Sequence, residues 1–510
     1  MSKGRVQVVE RRGLPTTSDT LIFKAHGRIV CPGFIDVHAH DDLYLLAHPD
    51  GEFKVKQGVT TVIGGNCGVS PAPMSHAYRN DQLEQLRLLG TDGLPSAQNE
   101  FTDFGTYLAA LDAAGLGIHY AGQVGHGMLR LAVMGPSSHA PSKAQTARMR
   151  LLLESCLDQG AIGLSLGLIY APGAYADLSE LVDLARVVQS RQGIVSAHIR
   201  SEGGRVVEAV AEMIELARQS EAAVHISHHK TADPANRGKS RQTLALIDRA
   251  RQAGLRVTLD AYPYRAGSTY LAAVLPVESL ADGVATLRVR LKDPSFRAQL
   301  RRKIESDPLD RWQSLLTGRD TYRLTIATCS TRPDYIGRCV REIADAEGIS
   351  PHDLVFDLIA AEGLGVGMIS HAMDEEDVQR ILSHPATMIG SDGIPPSRDS
   401  APHPRLTGTF PRILGRYVRE LGLIDLSEAV RRMTSLPAAT FGLTGKGRLA
   451  PGMDADLVVF DPLTVIDRST YEQPYQPPEG IELVLIGGCP ALIRDRLTYA
   501  AQGCVLAQTR

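Results

Sequence analysis

One stretch of the chain reads Pro32-Gly33-Phe34-Ile35-Asp36-Val37-His38-Ala39-His40-Asp41-Asp42. Its apolar residues, Phe34 to Val37, are typical of a short buried strand. His38 and His40 follow, and residues two apart in an extended strand project to the same side. Two neutral imidazoles on one face can share a metal ion. The stretch therefore predicts a metal site at a strand end, although two polar histidines in a loop remain an alternative on this motif alone.

Similar apolar runs that end in small or polar residues recur along the chain. The eight runs are Phe34–His40, Thr60–Cys67, His119–His126, Ala161–Gly167, Gly193–His198, Ala223–His228, Arg256–Tyr262 and Thr387–Asp392. Amphipathic segments such as Leu181–Gln189, Val206–Arg218 and Arg241–Ala253 separate them, with apolar residues recurring at three and four. This alternation indicates an α/β protein with a parallel sheet, and eight repeats predict a (β/α)8 TIM-like barrel. A doubly wound sheet is disfavoured because no glycine-rich phosphate loop opens a helix.

The two ends of the chain differ from this pattern. After Leu436 the segments Gly447–Asp461 and Ile481–Gly488 are typical of turns and strands. With the short segments before Cys31 they predict a small β-sandwich domain made of residues 1–31 and 437–510. Residues 32–436 would then form the barrel.

The segment between the last two runs is too long for a simple crossover. It contains the helix-like stretches Arg288–Trp312, Pro351–Ala361 and Glu375–Ser383. We predict an inserted subdomain at about residues 281–350. Long insertions in barrels usually follow strands at the catalytic end, so it is expected over the site, and an outer decoration is the alternative.

Composition limits the classes of partner. The 510 residues are 43% hydrophobic and carry a net charge of -3, which gives no electrostatic case for nucleic acid or an acidic membrane surface. No stretch approaches the roughly 20 apolar residues of a membrane span. The first residues do not resemble a signal peptide, so we expect a cytoplasmic protein. Seven scattered cysteines argue against a disulfide framework. The oligomeric state is left open.

Metal-ligating residue types recur where the runs end. Cys67 ends the second run, His198 the fifth, His228 the sixth and Asp392 the eighth. Singly each has another explanation, since a buried cysteine is usually a small apolar residue and an aspartate can cap a helix. In a barrel, however, these strand ends meet on one face together with the histidines of the first run. Nitrogen, thiolate and carboxylate ligands in this mixture suit Zn²⁺.

These motifs resemble the amidohydrolase superfamily and, more narrowly, the N-acyl-D-amino-acid deacylases (D-aminoacylases). The resemblance covers about residues 20 to 500. The motifs that carry it are Gly33–Asp42, Gly65-Asn-Cys-Gly68, Ala197–Gly203, Ser227-His-His-Lys230, Leu259–Tyr264, Gly390-Ser-Asp-Gly393 and His403–Arg412.

The resemblance implies two groups of metal ligands. Cys67, His198 and His228 would form one tight zinc site. A second site, weaker or empty, would be completed by His38, His40 and Asp392, with Cys67 bridging where many relatives use a modified lysine. His228 rather than His229 matches the motif, and neighbours in a strand face opposite ways.

The resemblance implies hydrolysis of the amide bond of an N-acyl-D-amino acid, a small-molecule substrate. Zinc would activate water, and Asp392 would act first as general base and then as general acid. Lys230 and Arg405 are candidates for the cation that binds the substrate carboxylate. The resemblance also points to substrate-binding roles for Tyr170, Tyr262 and Ser268.

Two other functions remain open at this stage. A cyclic-amide hydrolase, dihydroorotase-like or hydantoinase-like, is the second enzyme hypothesis. Its usual bridged site needs a lysine that the fourth run, Gly163-Leu-Ser-Leu-Gly167, lacks. A non-catalytic binding protein is the third, and the intact set of metal-ligating residues argues against it.

Overall fold

The computed structural model describes residues 4–10, 22–90, 101–306, 316, 323–396, 400–499 and 501–507. Parts of three predicted segments lie outside these ranges: the amino-terminal β segment, the end of the helix predicted at Arg288–Trp312, and the last residues of the chain. The strands are β1 Ile29–Pro32, β2 Phe34–Asp36, β3 Val59–Gly64, β4 His119–Gly122, β5 Val124–Gly125, β6 Gly163–Gly167, β7 Ile194–His198, β8 Ala223–Ile226, β9 Val257–Ala261, β10 Gly267–Tyr270, β11 Leu324–Thr328, β12 Gly367–Ser370, β13 Thr387–Ile389, β14 Leu457–Phe460, β15 Ile481–Ile486, β16 Cys489–Ile493 and β17 Arg496–Leu497.

Helices follow most of the barrel strands. The α-helices are α1 Tyr44–Ala47, α2 Glu52–Val55, α3 Arg79–Leu86, α4 Phe104–Ala113, α5 His126–Met134, α6 Lys143–Asp158, α7 Leu178–Ser190, α8 Val206–Ser220, α9 Ser240–Gln252, α10 Val284–Arg290, α11 Pro294–Ser306, α12 Val340–Glu347, α13 Pro351–Glu362, α14 Glu375–Ser383, α15 Arg405–Arg412, α16 Leu426–Met433 and α17 Ser435–Thr440. A π-helix, Ile413–Glu420, continues α15. Short 3-10 turns lie at Arg87–Leu89, Gly173–Tyr175, Pro234–Asn236, Leu271–Val274, Val277–Leu280, Pro333–Tyr335 and Gly363–Gly365. Within the described ranges no helix combines the length and apolar character needed to cross a bilayer.

Helix α7 shows why these segments are helical. The Asp177 carboxylate accepts a hydrogen bond from the Glu180 N–H at 2.9 Å, which caps the helix amino terminus. Leu181, Leu184 and Val188 recur at three and four and are buried, so they form the stripe that packs on the barrel.

All eight predicted runs contain a barrel strand, and the (β/α)8 prediction is confirmed. Strands β2, β3 and β4 are parallel neighbours, as are β5 to β9 and β13. The third run supplies both β4 and β5, because the strand is interrupted at Gln123. Between β13 and β2 the barrel closes through a single bridge, Ala39 to Gly393, and through backbone hydrogen bonds.

The small β domain takes strands from both ends of the chain. Strand β1 pairs antiparallel with β14, and β15, β16 and β17 extend the same sheet. The exact domain boundaries, 32–436 for the barrel and 437 for the return to β structure, stay predictions.

A separate three-stranded antiparallel sheet lies between the seventh and eighth barrel strands. Its order is β10-β12-β11, so it uses residues both before and after the segment 281–350. Ser268 and Thr269 of β10 and Met368 of β12 line the pocket above the barrel. The sheet therefore contributes to the pocket wall, and the limits of the predicted insertion remain a prediction.

Phe34 joins the barrel to its surroundings. Its buried ring stacks on Phe410 of α15, with centroids 5.7 Å apart and planes 9° apart. It also contacts Phe460 of β14, with centroids at 6.4 Å. One side chain thus packs a barrel strand, a helix and the β domain together.

Replacing Phe34 with Ala is expected to lower the free energy of unfolding by about 3–5 kcal/mol, because it removes buried area and leaves a cavity at this junction. Denaturant unfolding followed by circular dichroism at a constant zinc concentration measures the loss. As a control, Leu463→Ala should change the free energy by less than about 0.5 kcal/mol, since Leu463 is 78% exposed. A Phe34→Ala protein as stable as the control would contradict the packing argument.

Candidate metal centre

Three imidazoles surround the sulfur of Cys67. Its Sγ lies 3.3 Å from His38 Nε2, 3.3 Å from His228 Nε2 and 3.7 Å from His198 Nδ1. All four side chains are buried. One ligand atom from each of His38, Cys67, His228 and Asp392 lies within 4.8 Å of the others.

Four of these residues lie just beyond the carboxyl ends of their strands, where the backbone turns sharply, and His198 is the last residue of β7. Cys67, His228 and Asp392 all have left-handed backbone angles, with φ of 55°, 36° and 50°. Such conformations cost of order 1–3 kcal/mol each in a non-glycine residue and cluster at functional sites. The sequence pattern predicts His228 inside a strand. In the structure it lies in a turn after β8. His229 points away and its Nε2 lies 2.8 Å from Thr243 Oγ1.

Glycine permits the sharp turn before Cys67. Gly65 has a φ of +70°, and a Cβ atom there would lie 2.0 Å from the carbonyl oxygen of Gln123. No other residue fits this close approach.

The carboxylate of Asp392 connects the histidines of the first strand to Arg405. Its Oδ1 lies 3.2 Å from His40 Nε2 and 3.5 Å from His38 Nε2, and its Oδ2 lies 2.8 Å from Arg405 Nη1. Although burial acts in the opposite direction, the Arg405 guanidinium holds the pKa of Asp392 well below its ordinary value. Asp392 is therefore ionised at neutral pH and can accept a proton.

On the other side of the centre, Glu202 connects His228 to Lys230. Glu202 Oε1 lies 3.1 Å from His228 Nδ1 and 2.5 Å from Lys230 Nζ. Although burial disfavours the charged ammonium, Glu202 raises the pKa of Lys230 above its ordinary value. A carboxylate on the outer nitrogen of His228 leaves Nε2 free to face the sulfur.

A pocket of about 730 Å³, partly open to solvent, lies above the cluster. Of the residues predicted to bind substrate, Lys230, Tyr170, Tyr262 and Ser268 line it. Arg405 lies behind this wall, with its guanidinium 4.7 Å from the centroid of the Tyr262 ring. The Tyr262 hydroxyl and Arg405 Nε are buried without a hydrogen-bond partner among the described residues. Tyr262 lines the pocket, so its hydroxyl is a donor available to a ligand there.

Sequence reasoning missed two residues that support the centre. Asp260, inside β9, accepts a hydrogen bond from the His228 N–H at 3.0 Å, and its Oδ1 lies 2.8 Å from His225 Nε2 and 3.7 Å from His38 Nδ1. Glu202 lies in a loop. Both residues lie inside motifs that carry the family resemblance, Glu202 in Ala197–Gly203 and Asp260 in Leu259–Tyr264, and that position is the signal that could have found them.

The donor set fits zinc. Around a tetrahedral zinc with bonds of about 2.3 Å to sulfur and about 2.1 Å to nitrogen, sulfur and nitrogen lie about 3.6 Å apart. The observed separations of 3.3–3.7 Å match this value. Burial holds the pKa of His198 well below its ordinary value, which keeps the imidazole in the neutral, ligating form. Burial, and then the Asp392 charge, raise the pKa of the Cys67 thiol, so a neighbouring cation is needed to hold it as thiolate.

The barrel and the cluster at its carboxyl face are those of a metal-dependent hydrolase. The chain matches the model of the Amidohydrolase family over residues 22–491. It is 42% identical to a D-aminoacylase of Alcaligenes xylosoxydans xylosoxydans over 95% of this chain and 88% of the relative. It is 41% identical to an N-acyl-D-glutamate deacylase of the same organism, over 91% and 84%.

A solved structure supports the same grouping. The N-acyl-D-glutamate deacylase of Bordetella bronchiseptica, complexed with zinc and a phosphonate inhibitor, superposes with a TM-score of 0.82 at 38% identity, covering 99% of this chain and 94% of the other. The chain belongs to the Amidohydrolase family, and its relatives include deacylases of N-acyl-D-amino acids.

Proposed function

We propose that this protein is a zinc-dependent hydrolase that splits the amide bond of N-acyl-D-amino acids into a carboxylate and a free D-amino acid. The observation that carries the proposal is the ring of His38, His198 and His228 around Cys67, with the ionised Asp392 beside it. The sequence similarity to D-aminoacylase, N-acyl-D-glutamate deacylase and N-acyl-D-aspartate deacylase supports an N-acyl-D-amino acid as the substrate.

Cys67, His198 and His228 would hold one zinc ion tightly. His38, His40 and Asp392 would complete a second, weaker site, since both histidines lie within 3.5 Å of the Asp392 carboxylate. When bound, zinc supplies a Lewis acid that polarises the amide carbonyl and lowers the pKa of water towards neutrality.

Asp392 moves the proton. Its carboxylate, ionised because Arg405 lowers its pKa, accepts a proton from the attacking water. It then returns the proton to the amide nitrogen, because an amine leaves only when it is protonated. Arg405 thus keeps Asp392 ready to act as the base at neutral pH.

The substrate carboxylate needs cations and hydrogen-bond donors. Lys230 Nζ lies 5.6 Å from the centroid of the Tyr262 ring, and Arg405 lies on the same ring. We assign the binding of the substrate carboxylate to these two cations and to the Tyr262 hydroxyl. Tyr170, whose hydroxyl is 2.9 Å from Thr269 Oγ1, and Ser268, which donates to the Met368 carbonyl, shape the same wall.

The test is turnover of matched N-acetyl-D- and N-acetyl-L-methionine by metal-analysed protein, before and after chelation and with zinc restored. We expect release of the D-amino acid in strong preference to the L-amino acid, lost with the metal and recovered with zinc. A hydantoin substrate serves as a third arm. Hydrolysis of the cyclic amide alone would overturn the proposal in favour of a cyclic-amide hydrolase.

A further inference from the structure

The closure of the barrel between β2 and β13 passes beside the metal centre. His38 and His40 follow β2, and Asp392 follows β13, so proposed ligands lie on both sides of this junction. In the described part of the chain the two strands share one bridge, Ala39 to Gly393. The backbone bonds beside it run from Asp392 N–H to the His38 carbonyl and from His40 N–H to the Gly393 carbonyl, at 2.7 and 3.3 Å. Because the backbone pairing is so short, side chains must help to set the distance between the two strand ends.

The side chain of Asp36, the last residue of β2, links the two strand ends. Its carboxylate accepts hydrogen bonds from the Ser391 N–H at 2.8 Å and from Ser391 Oγ at 2.5 Å. It also accepts one from the His38 N–H at 3.2 Å. Ser391 directly precedes Asp392, so this one carboxylate positions the backbone that carries both His38 and Asp392.

Lys54 of α2 holds this link in place. Its Nζ donates to Asp36 Oδ2 at 2.7 Å and to Ser391 Oγ at 2.8 Å, and lies 3.2 Å from Asp41 Oδ2. The Lys54 and Asp36 side chains are completely buried. Taking these charges out of water is costly, and a buried ion pair is weak evidence for stability, so the arrangement calls for another role. Among the described residues, no hydrogen bond or ion pair joins Lys54 to His38, His40 or Asp392 directly.

We propose that Lys54 is a positioning residue for the reaction: through Asp36 and Ser391 it sets the separation between the two histidines of the first strand and Asp392. The inference rests on the proposed function, since that separation matters to a reaction in which Asp392 moves the proton. Groups that orient ligands indirectly typically contribute 10–100-fold to activity or metal affinity.

The chain offers a matched control. Lys446 is also a buried lysine between two aspartates, with its Nζ 2.6 Å from Asp456 Oδ2 and 3.1 Å from Asp454 Oδ2. Its contacts lie at the β domain and not at the metal centre. Lys54→Met and Lys446→Met therefore each remove a buried ammonium group that is paired with two aspartates, one near the metal centre and one in the β domain.

We expect Lys54→Met to lower kcat on the N-acetyl-D-amino acid by about 10–100-fold while KM changes by less than about threefold. Lys446→Met should leave kcat within about twofold of the parent value, even where it lowers the unfolding midpoint. The visible spectrum of the Co²⁺-loaded protein, which reports coordination geometry, should change in Lys54→Met and not in Lys446→Met. An unchanged spectrum together with parental kcat in Lys54→Met would overturn the proposal.

Ser391→Ala covers the case in which Lys54→Met does not fold, because it removes the hydroxyl link and leaves the charges paired. It should lower kcat by about tenfold, and parental kcat in this variant would also overturn the proposal. The cobalt spectrum needs no substrate. If the parent protein hydrolysed no N-acyl amino acid, the proposed function would fail, and the spectra would still decide the role of Lys54.

Discussion

Replacing Asp392 with Asn is expected to lower kcat/KM on an N-acyl-D-amino acid by about 10²–10⁴-fold, the usual contribution of a general acid–base residue. The amide cannot accept the proton from water and cannot deliver it to the leaving nitrogen. The variant should still bind one zinc ion per chain, because Cys67, His198 and His228 are unchanged. Steady-state kinetics and metal analysis on the same preparation measure both effects.

A second aspartate provides the control for this variant. Asp467 Oδ2 lies 2.9 Å from Arg412 Nη1, and Arg412 lies 4.7 Å from the centroid of the Tyr264 ring. The arrangement repeats that of Asp392, Arg405 and Tyr262, and it includes none of the proposed metal ligands. Asp467→Asn also leaves a half-buried arginine without its carboxylate, so it reports the structural cost of losing such a pair. Equal losses of activity in the two variants would refute the general-base role.

Replacing Cys67 with Ala is expected to remove the tight zinc and, with it, about a thousand-fold or more of kcat/KM, since the Lewis acid is worth several kcal/mol. Cys67 is the one residue of the cluster whose ligand atom lies within 3.7 Å of three imidazoles. Its loss therefore removes the atom that all three imidazoles face. Zinc content after gel filtration, and activity with excess zinc added, measure the two consequences.

Cys156 is the matched control, because it is a buried cysteine of helix α6, and no hydrogen bond or ion pair among the described residues joins it to the cluster. Cys156→Ala should keep one zinc ion per chain and the activity of the parent. If Cys67→Ala retained a full zinc equivalent after chelation and reloading, the tight site would have to be built from His38, His40 and Asp392 instead.

Much of the architecture could be predicted from local patterns. The barrel strands β2 and β13 lie inside runs whose apolar residues mark them, and α14 begins and ends at the predicted residues Glu375 and Ser383. The inserted sheet was not predicted in its observed form, because its strands β10, β11 and β12 are four or five residues long and pair across long stretches of chain. Such pairing depends on distant partners and not on local periodicity.

The sequence by itself determined the residue types of the centre and their places at strand ends, because a parallel barrel brings all its carboxyl ends to one face. Only the tertiary structure decided which side chains support them. The supporting roles of Lys54, Glu202 and Asp260 could not be assigned from local sequence, since each acts through contacts with residues of other elements. The tertiary structure also decided that Arg405 pairs with Asp392 in addition to packing on the Tyr262 ring of the pocket wall. Burial gives these contacts their strength, and burial is a property of the folded chain alone.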